Sequence, residues 1–421
     1  MRILFFTHYF PPEVNAPANR TFEHCLAWVK AGHEVHVVTC VPSHPLGRPF
    51  AGFRRGWYRH EVADGIHVHR VWTCLAPNRA VFRRIVNYLS FVPTAVWRAW
   101  RLGRFDVAVG TSPQFFCAVA TWLYTRVRPT PWVFELRDLW PESIPAVGAM
   151  KQSLALRLLE RLELRMYRDA TAIVCLTEAF IRTLRARGIE AAKLHWIPNG
   201  IEPSFWQAAD RGAARAELGL RDDEVLASYV GTIGMAHGLG ALITAAGLLH
   251  LHAPDVRILI AGDGAELPAL RDLVSHQGLT NVMFTGLVPR EKVPGILAAS
   301  DMALVTLKPS EVFKTVLPSK MFEAMAAARP IVLAVEGEAQ TVLEQAGAGI
   351  AVPPGNAPAL AAAIACLASD SHQRARMGQD GVTFVAREFN RSLWAARYLF
   401  LLSRLSAPGR ARQTVTSPAL R

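Results

Sequence analysis

With 421 residues and 51 % hydrophobic side chains, the chain is too long for one ordinary core and too apolar for wholesale disorder, so two domains of roughly 200 residues are expected. Its six cysteines (Cys25, Cys40, Cys74, Cys117, Cys175, Cys366) are scattered with no C-x-x-C pair, which argues against a disulfide framework or zinc site and reads as reduced thiols in a cytosolic protein. The net charge of +12 is concentrated: residues 1–200 hold 26 Lys and Arg against 14 Asp and Glu, while residues 201–421 hold 20 of each, so the first half points to a polyanion, either nucleic acid or an anionic membrane surface.

In chain order, Met1 leads straight into the strand-like run "RILFFT", so no signal peptide is expected. The loop "THYFPPEVNAPANR" follows, and in it His8, Glu13 and Asn15 are candidates to face a ligand, His8 being equally readable as a satisfied structural histidine. A helix "NRTFEHCLAWVKAG" and a second strand "EVHVVTC" come next. The segment 78–106 breaks the pattern. Its uncharged run Ile85–Trp97 is too short to span a bilayer, Pro93 is expected to kink a helix there, and the segment is rich in arginine, tryptophan and tyrosine. That composition suits a segment lying in a membrane interface, with Arg83, Arg84, Trp97, Trp100 and Arg101 as contacts; a core-facing helix pair with solvated arginines is the plainer alternative.

"FDVAVGTSP", "WVFELRD", "TAIVCLTE" and "KLHWIPNG" are further apolar runs that close in polar or Gly/Pro turns, as strands buried on both faces of a parallel sheet do. One of these turns, "FELRDLWPES", crowds Arg137, Asp138 and Glu142 at a strand end, which reads as catalytic or as an ion-pair network. "PNGIEPSFW" is a turn-rich break, after which strand–helix alternation restarts through "EVLASYVGTIG", "VRILIAGDGAE", "NVMFTGLVP", "MALVTLKPS", "PIVLAVEGE" and "GIAVPPGN". Two successive α/β units imply two doubly wound sheets facing a cleft, with ligands at the strand C-termini. The boundaries are 1–200 and 201–387, with a last amphipathic helix, 388–405, packing back on the first domain and a frayed tail after it.

In the second unit the loop "GTIGMAHG", with Gly231, Thr232 and His237 as candidate contacts, has glycines that let backbone N–H groups approach a phosphate, or form an ordinary tight turn. "KTVLPSKMFEAM" runs through Val316, Leu317, Pro318 and Ser319 into a helix start, where the backbone N–H groups other than that of Pro318, which has none, can receive a diphosphate with Lys320. Glu323, one turn on from Ser319, can accept hydrogen bonds from a ribose diol, or simply enjoy the helix dipole.

The order "HYFPPE…AGHEV…RDLWPES…PNGIE…YVGTIG…AGDGAE…LPSKMFEAMA…RPIV" resembles the retaining GT-B glycosyltransferases of family 4 that carry a Glu-x7-Glu motif, and within them the N-acetyl-fucosamine transferase-like subgroup of bacterial surface polysaccharide assembly. The resemblance spans about residues 1–400. It implies a GT-B fold, a nucleotide sugar held by the second domain (UDP-linked first, GDP second), and a polyprenyl-diphosphate-linked acceptor held by the first. It also implies a peripheral place on the inner face of the cytoplasmic membrane, with no obligatory cofactor, no metal and no nucleic acid. Glu323 then holds the ribose, and the departing diphosphate is stabilised by amides and by Lys314, Lys320 or Lys308.

The departures are specific. Thr315 stands where the motif's first glutamate is expected, with Glu311 the nearest carboxylate, so contact to the donor sugar changes there and a deoxy or N-acetylated amino sugar fits. Thr232 and His237 occupy positions that relatives give to arginine and lysine. Arg137–Asp138 replaces a His-Asp pair, and the glycine pair near Asn15 and Ala16 is missing, which makes Asp138 and Glu142 the leading candidates to assist catalysis, with Arg137 next. A sugar-nucleotide epimerase on the same fold and a non-catalytic sugar-nucleotide binding protein are the alternatives; nucleic-acid binding lacks a recognisable module.

Overall fold

The computed structural model describes residues 1–13, 15–44, 47–75, 81–112, 114–139 and 154–407. It divides into two units, Met1–Pro198 with Ser392–Arg421, and Asn199–Arg391.

In the N-terminal unit the strands are β1 (Arg2–Phe6), β2 (Glu34–Cys40), β3 (Tyr58–Ala63), β4 (Ile66–Val71), β5 (Val107–Thr111), β6 (Trp132–Leu136), β7 (Ala172–Cys175) and β8 (Leu194–Trp196). They form one sheet in the order β3-β4-β2-β1-β5-β6-β7-β8. All pairs are parallel except β3–β4. Ile3, Phe5, Val107, Val109, Val133 and Val174 face one side and are fully buried there against Cys25 and Trp28 of the helix Ala16–Lys30. The β3–β4 hairpin is an addition to the expected alternation. It closes at Asp64–Gly65, both at positive φ (50° and 82°), the backbone that Asp-Gly supplies for a tight hairpin turn.

Among the described residues, segment 78–106 contributes one helix, Val81–Arg101, which continues through Pro93. Asn87, Phe91, Ala95 and Ala99, spaced four apart, are buried on one face. Ile85, Leu89, Trp97 and Trp100 lie exposed on the other side, joined by Arg83, Pro93 and Arg101. Core packing and an exposed apolar stripe therefore coexist on this helix. Among the described residues no helix is long and apolar enough to cross a membrane.

In the C-terminal unit β9 (Val225–Val230), β10 (Val256–Ala261), β11 (Val282–Gly286), β12 (Met302–Thr306), β13 (Ile331–Ala334) and β14 (Gly349–Ala351) make a sheet ordered β11-β10-β9-β12-β13-β14. Every pair is parallel. The order reverses between β9 and β12, so the loops after these two strands diverge and leave a crevice at their C-terminal ends.

The last helix, expected at 388–405, runs Arg391–Ser406 and so starts three residues later than expected, because a separate helix, ending at Glu388, precedes it. Between them Phe389 accepts a hydrogen bond from Ile201 N–H (2.8 Å), Arg391 N–H donates to Ile201 O (3.1 Å), and a Cβ on Gly200 would meet Arg391 Cα at 2.3 Å. The backbone pairing with residues 200–201 takes the place of helical bonds and breaks the helix. Trp394, Tyr398 and Leu402 of the second piece are buried in the core of the N-terminal unit.

Candidate functional site

The strongest constellation lies at the C-terminal ends of β9, β10, β12 and β13. Gly231 N–H donates to Ala261 O (2.9 Å), Ile233 N–H to Asp263 O (2.9 Å) and Glu266 N–H to Ile233 O (3.1 Å), so the "GTIG" and "AGDG" turns are laced together. Two glycines make this possible. A Cβ on Gly262 would sit 1.8 Å from Gly231 O, and one on Gly264 2.2 Å from Ile233 O. Lys308 N–H donates to Ala236 O (2.8 Å) and Thr306 Oγ1 to His237 O (2.8 Å), which pins the far end of the first turn to β12. Gly238, at φ 64°, then opens the helix Leu239–His252.

The helix Ser319–Ala326 begins after Pro318, whose φ of −62° suits a helix entry. Met321, Phe322 and Met325 are buried, Leu317 is buried just before the helix, Ser319 is exposed and Glu323 is half-buried. Thr315 Oγ1 donates to Val312 O (2.7 Å) within its own turn. Lys314 N–ζ lies 2.7 Å from Glu311 Oε1 and 3.6 Å from Glu336 Oε2, and these partners raise its pKa. Lys308 is 3.5 Å from Glu266 Oε1.

Lys320 differs from both. Its Nζ is buried without a hydrogen-bond partner, 3.8 Å from the centroid of the Tyr229 ring and 3.0 Å from where a Gly231 Cβ would be. Burial pulls its pKa down to about 7, with Glu323 pulling the other way. Tyr229 is held by its hydroxyl, which donates to Thr232 O (2.6 Å). His237, whose Nδ1 is 3.2 Å from Gly234 O, is driven to about 4 by burial and then by the Lys320 charge. It is therefore neutral near pH 7, and among the described residues of these loops Lys320 is the lysine left without a hydrogen-bond partner.

In the N-terminal unit the same sheet edge carries the other expected residues. His8 is buried edge-on against Tyr9, Tyr88 and Phe91, and burial drives it to about 4 although Asn87 hydrogen-bonds it. Glu13 is buried and accepts from Ser43 N–H and His44 N–H (2.9 Å each); burial raises its pKa, and those bonds moderate the rise. Asn15 caps the helix Ala16–Lys30 by accepting from Ala18 N–H (2.9 Å). Arg137 Nε is 2.9 Å from Glu135 Oε1 in a buried pair. Asp138 is raised to about 6 by burial, against one backbone N–H bond from Leu139. Glu142 and the Arg84 side chain lie outside the described residues.

Sequence reading missed Tyr229, Glu135 and Arg20. Glu135 had a visible signal, a carboxylate inside the apolar strand "WVFEL", which demands a buried partner. Tyr229 had a weaker one, its place two residues before Gly231. Among the described residues no group of three His, Cys, Asp or Glu is placed to hold a metal ion.

Comparison with known proteins matches this architecture. A glycosyl transferase 4-like domain matches residues 15–200, and a glycosyl transferases group 1 domain matches residues 210–383. The putative colanic acid biosynthesis glycosyl transferase WcaI of Escherichia coli is 26% identical over 86% of this chain and 91% of its own length. The probable glycosyltransferase WbjE of Pseudomonas aeruginosa is 26% identical over 68% and 72%. Among solved structures, sucrose-phosphate synthase of Thermosynechococcus elongatus superposes with a TM-score of 0.75 at 19% identity, covering 96% of this chain and 98% of that one. HepE of Anabaena, solved with UDP and glucose, gives 0.73 at 17% identity, covering 96% and 99%. With a 4-like domain followed by a group 1 domain, each on its own parallel Rossmann-like sheet, the chain belongs to the glycosyltransferases of the GT-B fold.

Proposed function

We propose that the protein is a retaining glycosyltransferase that moves a sugar from a UDP-linked donor to a lipid-linked acceptor in bacterial polysaccharide synthesis. The observation that carries the donor assignment is Lys320. A buried ammonium with no hydrogen-bond partner costs free energy in the unliganded protein, and a diphosphate at the crevice supplies the missing counter-charge. Lys314 and Lys308 are already shared with carboxylates, so Lys320 is the lysine that meets the diphosphate. Gly231 leaves room for the phosphates, the amides of Leu317 and Ser319 add donors, and Glu323 holds the ribose. Thr315 leaves the donor sugar with one carboxylate fewer, in keeping with a deoxy or N-acetylated amino sugar. Colanic acid synthesis in the name of one relative and UDP in the structure of another support the process and the base.

Transfer of label from UDP-sugars to a polyprenyl-diphosphate glycan by the purified protein tests the reading. Binding of UDP-sugars without transfer to any acceptor would leave a sugar-nucleotide binding protein instead. If Glu323 holds the ribose, Glu323→Ala lowers UDP affinity about 10- to 100-fold in a calorimetric titration, the range for lost hydrogen bonds to a charged group. Unchanged affinity removes the assignment.

The exposed stripe Ile85, Leu89, Trp97 and Trp100 with Arg83 and Arg101 supports a peripheral membrane location, because amphipathic aromatics and arginines suit the headgroup layer. Replacing Trp97 and Trp100 by alanine and Arg101 by glutamate is expected to shift the protein from the bound to the free fraction on anionic vesicles. Unaltered flotation would rule out this face as the anchor.

A further inference from the structure

Arg20 has no part in the roles assigned above, yet it is a poorly compensated charge in the N-terminal unit. It lies on the first turns of the helix Ala16–Lys30, and its Nε is 3.7 Å from Glu135 Oε1. That oxygen already accepts from Arg137 Nε (2.9 Å) and Thr111 Oγ1 (2.9 Å), and the other oxygen accepts from Tyr398 OH (3.1 Å). Glu135 is thus largely engaged before Arg20 reaches it. Burial raises the Glu135 pKa, but Arg137 and then Arg20 outweigh that and hold it near 2, so the carboxylate is permanently charged.

Among the described residues Arg20 keeps only the long ion pair. Its Nε and Nη2 are buried and make no hydrogen bond, although its side chain remains 12% exposed and so is not sealed from solvent. Burial, then the like charge of Arg137, lowers its pKa to about 9, while Glu135, Tyr398 and Glu23 oppose that. His24, on the same helix, adds no fixed negative charge. A guanidinium offers five donors in a planar fork, and leaving several unused in a buried place is costly unless something else arrives to accept them. The groups around it stand at the C-terminal ends of β5 and β6, the edge at which open parallel sheets bind ligands.

We propose that Arg20 is an anion-binding residue of the acceptor site, receiving a phosphate or carboxylate carried by the acceptor. This rests on the proposed function, in which the N-terminal unit holds the acceptor. The shared chemistry is a planar or tetrahedral oxyanion gripped by the guanidinium fork, whether it comes from a lipid-linked diphosphate or from an acidic sugar.

The test uses the full-length protein saturated with UDP, so that the donor site is closed to added anions. Inorganic pyrophosphate and glucuronate are titrated by calorimetry into the wild type, Arg20→Gln and Arg20→Lys. At least one anion is expected to bind the wild type and to bind Arg20→Gln at least tenfold more weakly, with UDP affinity unchanged; Arg20→Lys, which keeps the charge but loses the fork, falls between. Pyrophosphate alone binding assigns the anion to a lipid diphosphate, and glucuronate alone assigns it to an acidic sugar. No binding of either, or equal binding by the variants, overturns the proposal. If Arg20→Gln does not fold, Arg20→Lys decides: anion binding weaker than in the wild type with UDP affinity unchanged supports the proposal, and equal binding overturns it. Failure of the wild type to bind UDP would strike the donor assignment instead, and is read separately.

Discussion

Binding of UDP at pH 8 is expected to draw close to one proton from solution, and Lys320→Met to abolish that uptake while weakening affinity about 100-fold. The amine sits near 7 in the unliganded protein because burial removes it from water, so at pH 8 it is mostly neutral. A diphosphate beside it favours the charged form and recharges it. Calorimetry in two buffers of different ionisation enthalpy measures the uptake directly. The affinity should be level below pH 7 and fall by up to tenfold per unit above it, until the amine of the complex itself deprotonates. The 100-fold loss corresponds to about 3 kcal/mol, the upper range for a hydrogen bond to a charged group.

Stability moves the other way. The folded pKa lies below the unfolded value of 10.5, so the penalty of a buried ammonium is complete below pH 7 and fades as pH rises from about 7 towards 10.5. Lys320→Met should therefore melt higher than the wild type at pH 6, by an amount that shrinks at alkaline pH. A variant that binds worse and melts higher separates a ligand-directed lysine from a structural one. Binding without proton uptake, or full affinity in Lys320→Met, would sink the assignment.

How much of this was legible from residues depends on the distance in sequence between partners. The two units could be read because strands buried on both faces are continuous apolar runs, each ending in a polar turn where the sheet meets its ligand. The β3–β4 hairpin carried the Asp-Gly signal between alternating residues and was still submerged by the expectation of a parallel sheet. The helix break at residues 389–390 had no local signal, because its cause is backbone pairing with Ile201. The loops proposed to hold the donor carried glycine and helix-start motifs. That Lys320 rather than Lys314 is unpartnered was not, since it depends on Tyr229 and Gly231 ninety residues earlier and on Glu311 and Glu336 holding the other lysine. The charges of "FELRD" were visible too, but their order of importance came from packing: Glu135 lies in the core with Arg137, while among the described residues Asp138 has one backbone donor.

That isolation gives Asp138 the second large effect. Held near 6 by burial, the carboxyl changes charge just below neutral pH, the range in which a group that shares an acceptor hydroxyl's proton works best. If it has that role, kcat/KM for transfer should rise through about pH 6 and level off above it. Asp138→Asn should lose 10²- to 10⁴-fold and lose the limb as well. The linkage has a definite sign. A folded pKa raised above the unfolded 3.8 adds stability that is complete below 3.8 and is lost as pH climbs through about 6. At pH 8 the buried carboxylate thus costs about 3 kcal/mol relative to its neutral form, and Asp138→Asn removes that cost. The variant is expected to melt higher than the wild type at pH 8 and to match it near pH 4. Higher stability with the pH limb intact would leave Asp138 a buried acid with no part in transfer, and the proton would then pass to Glu142 or to the departing diphosphate. Loss of the limb together with the gain in stability is the pair of results that only a catalytic carboxylate, kept at a cost to the fold, produces.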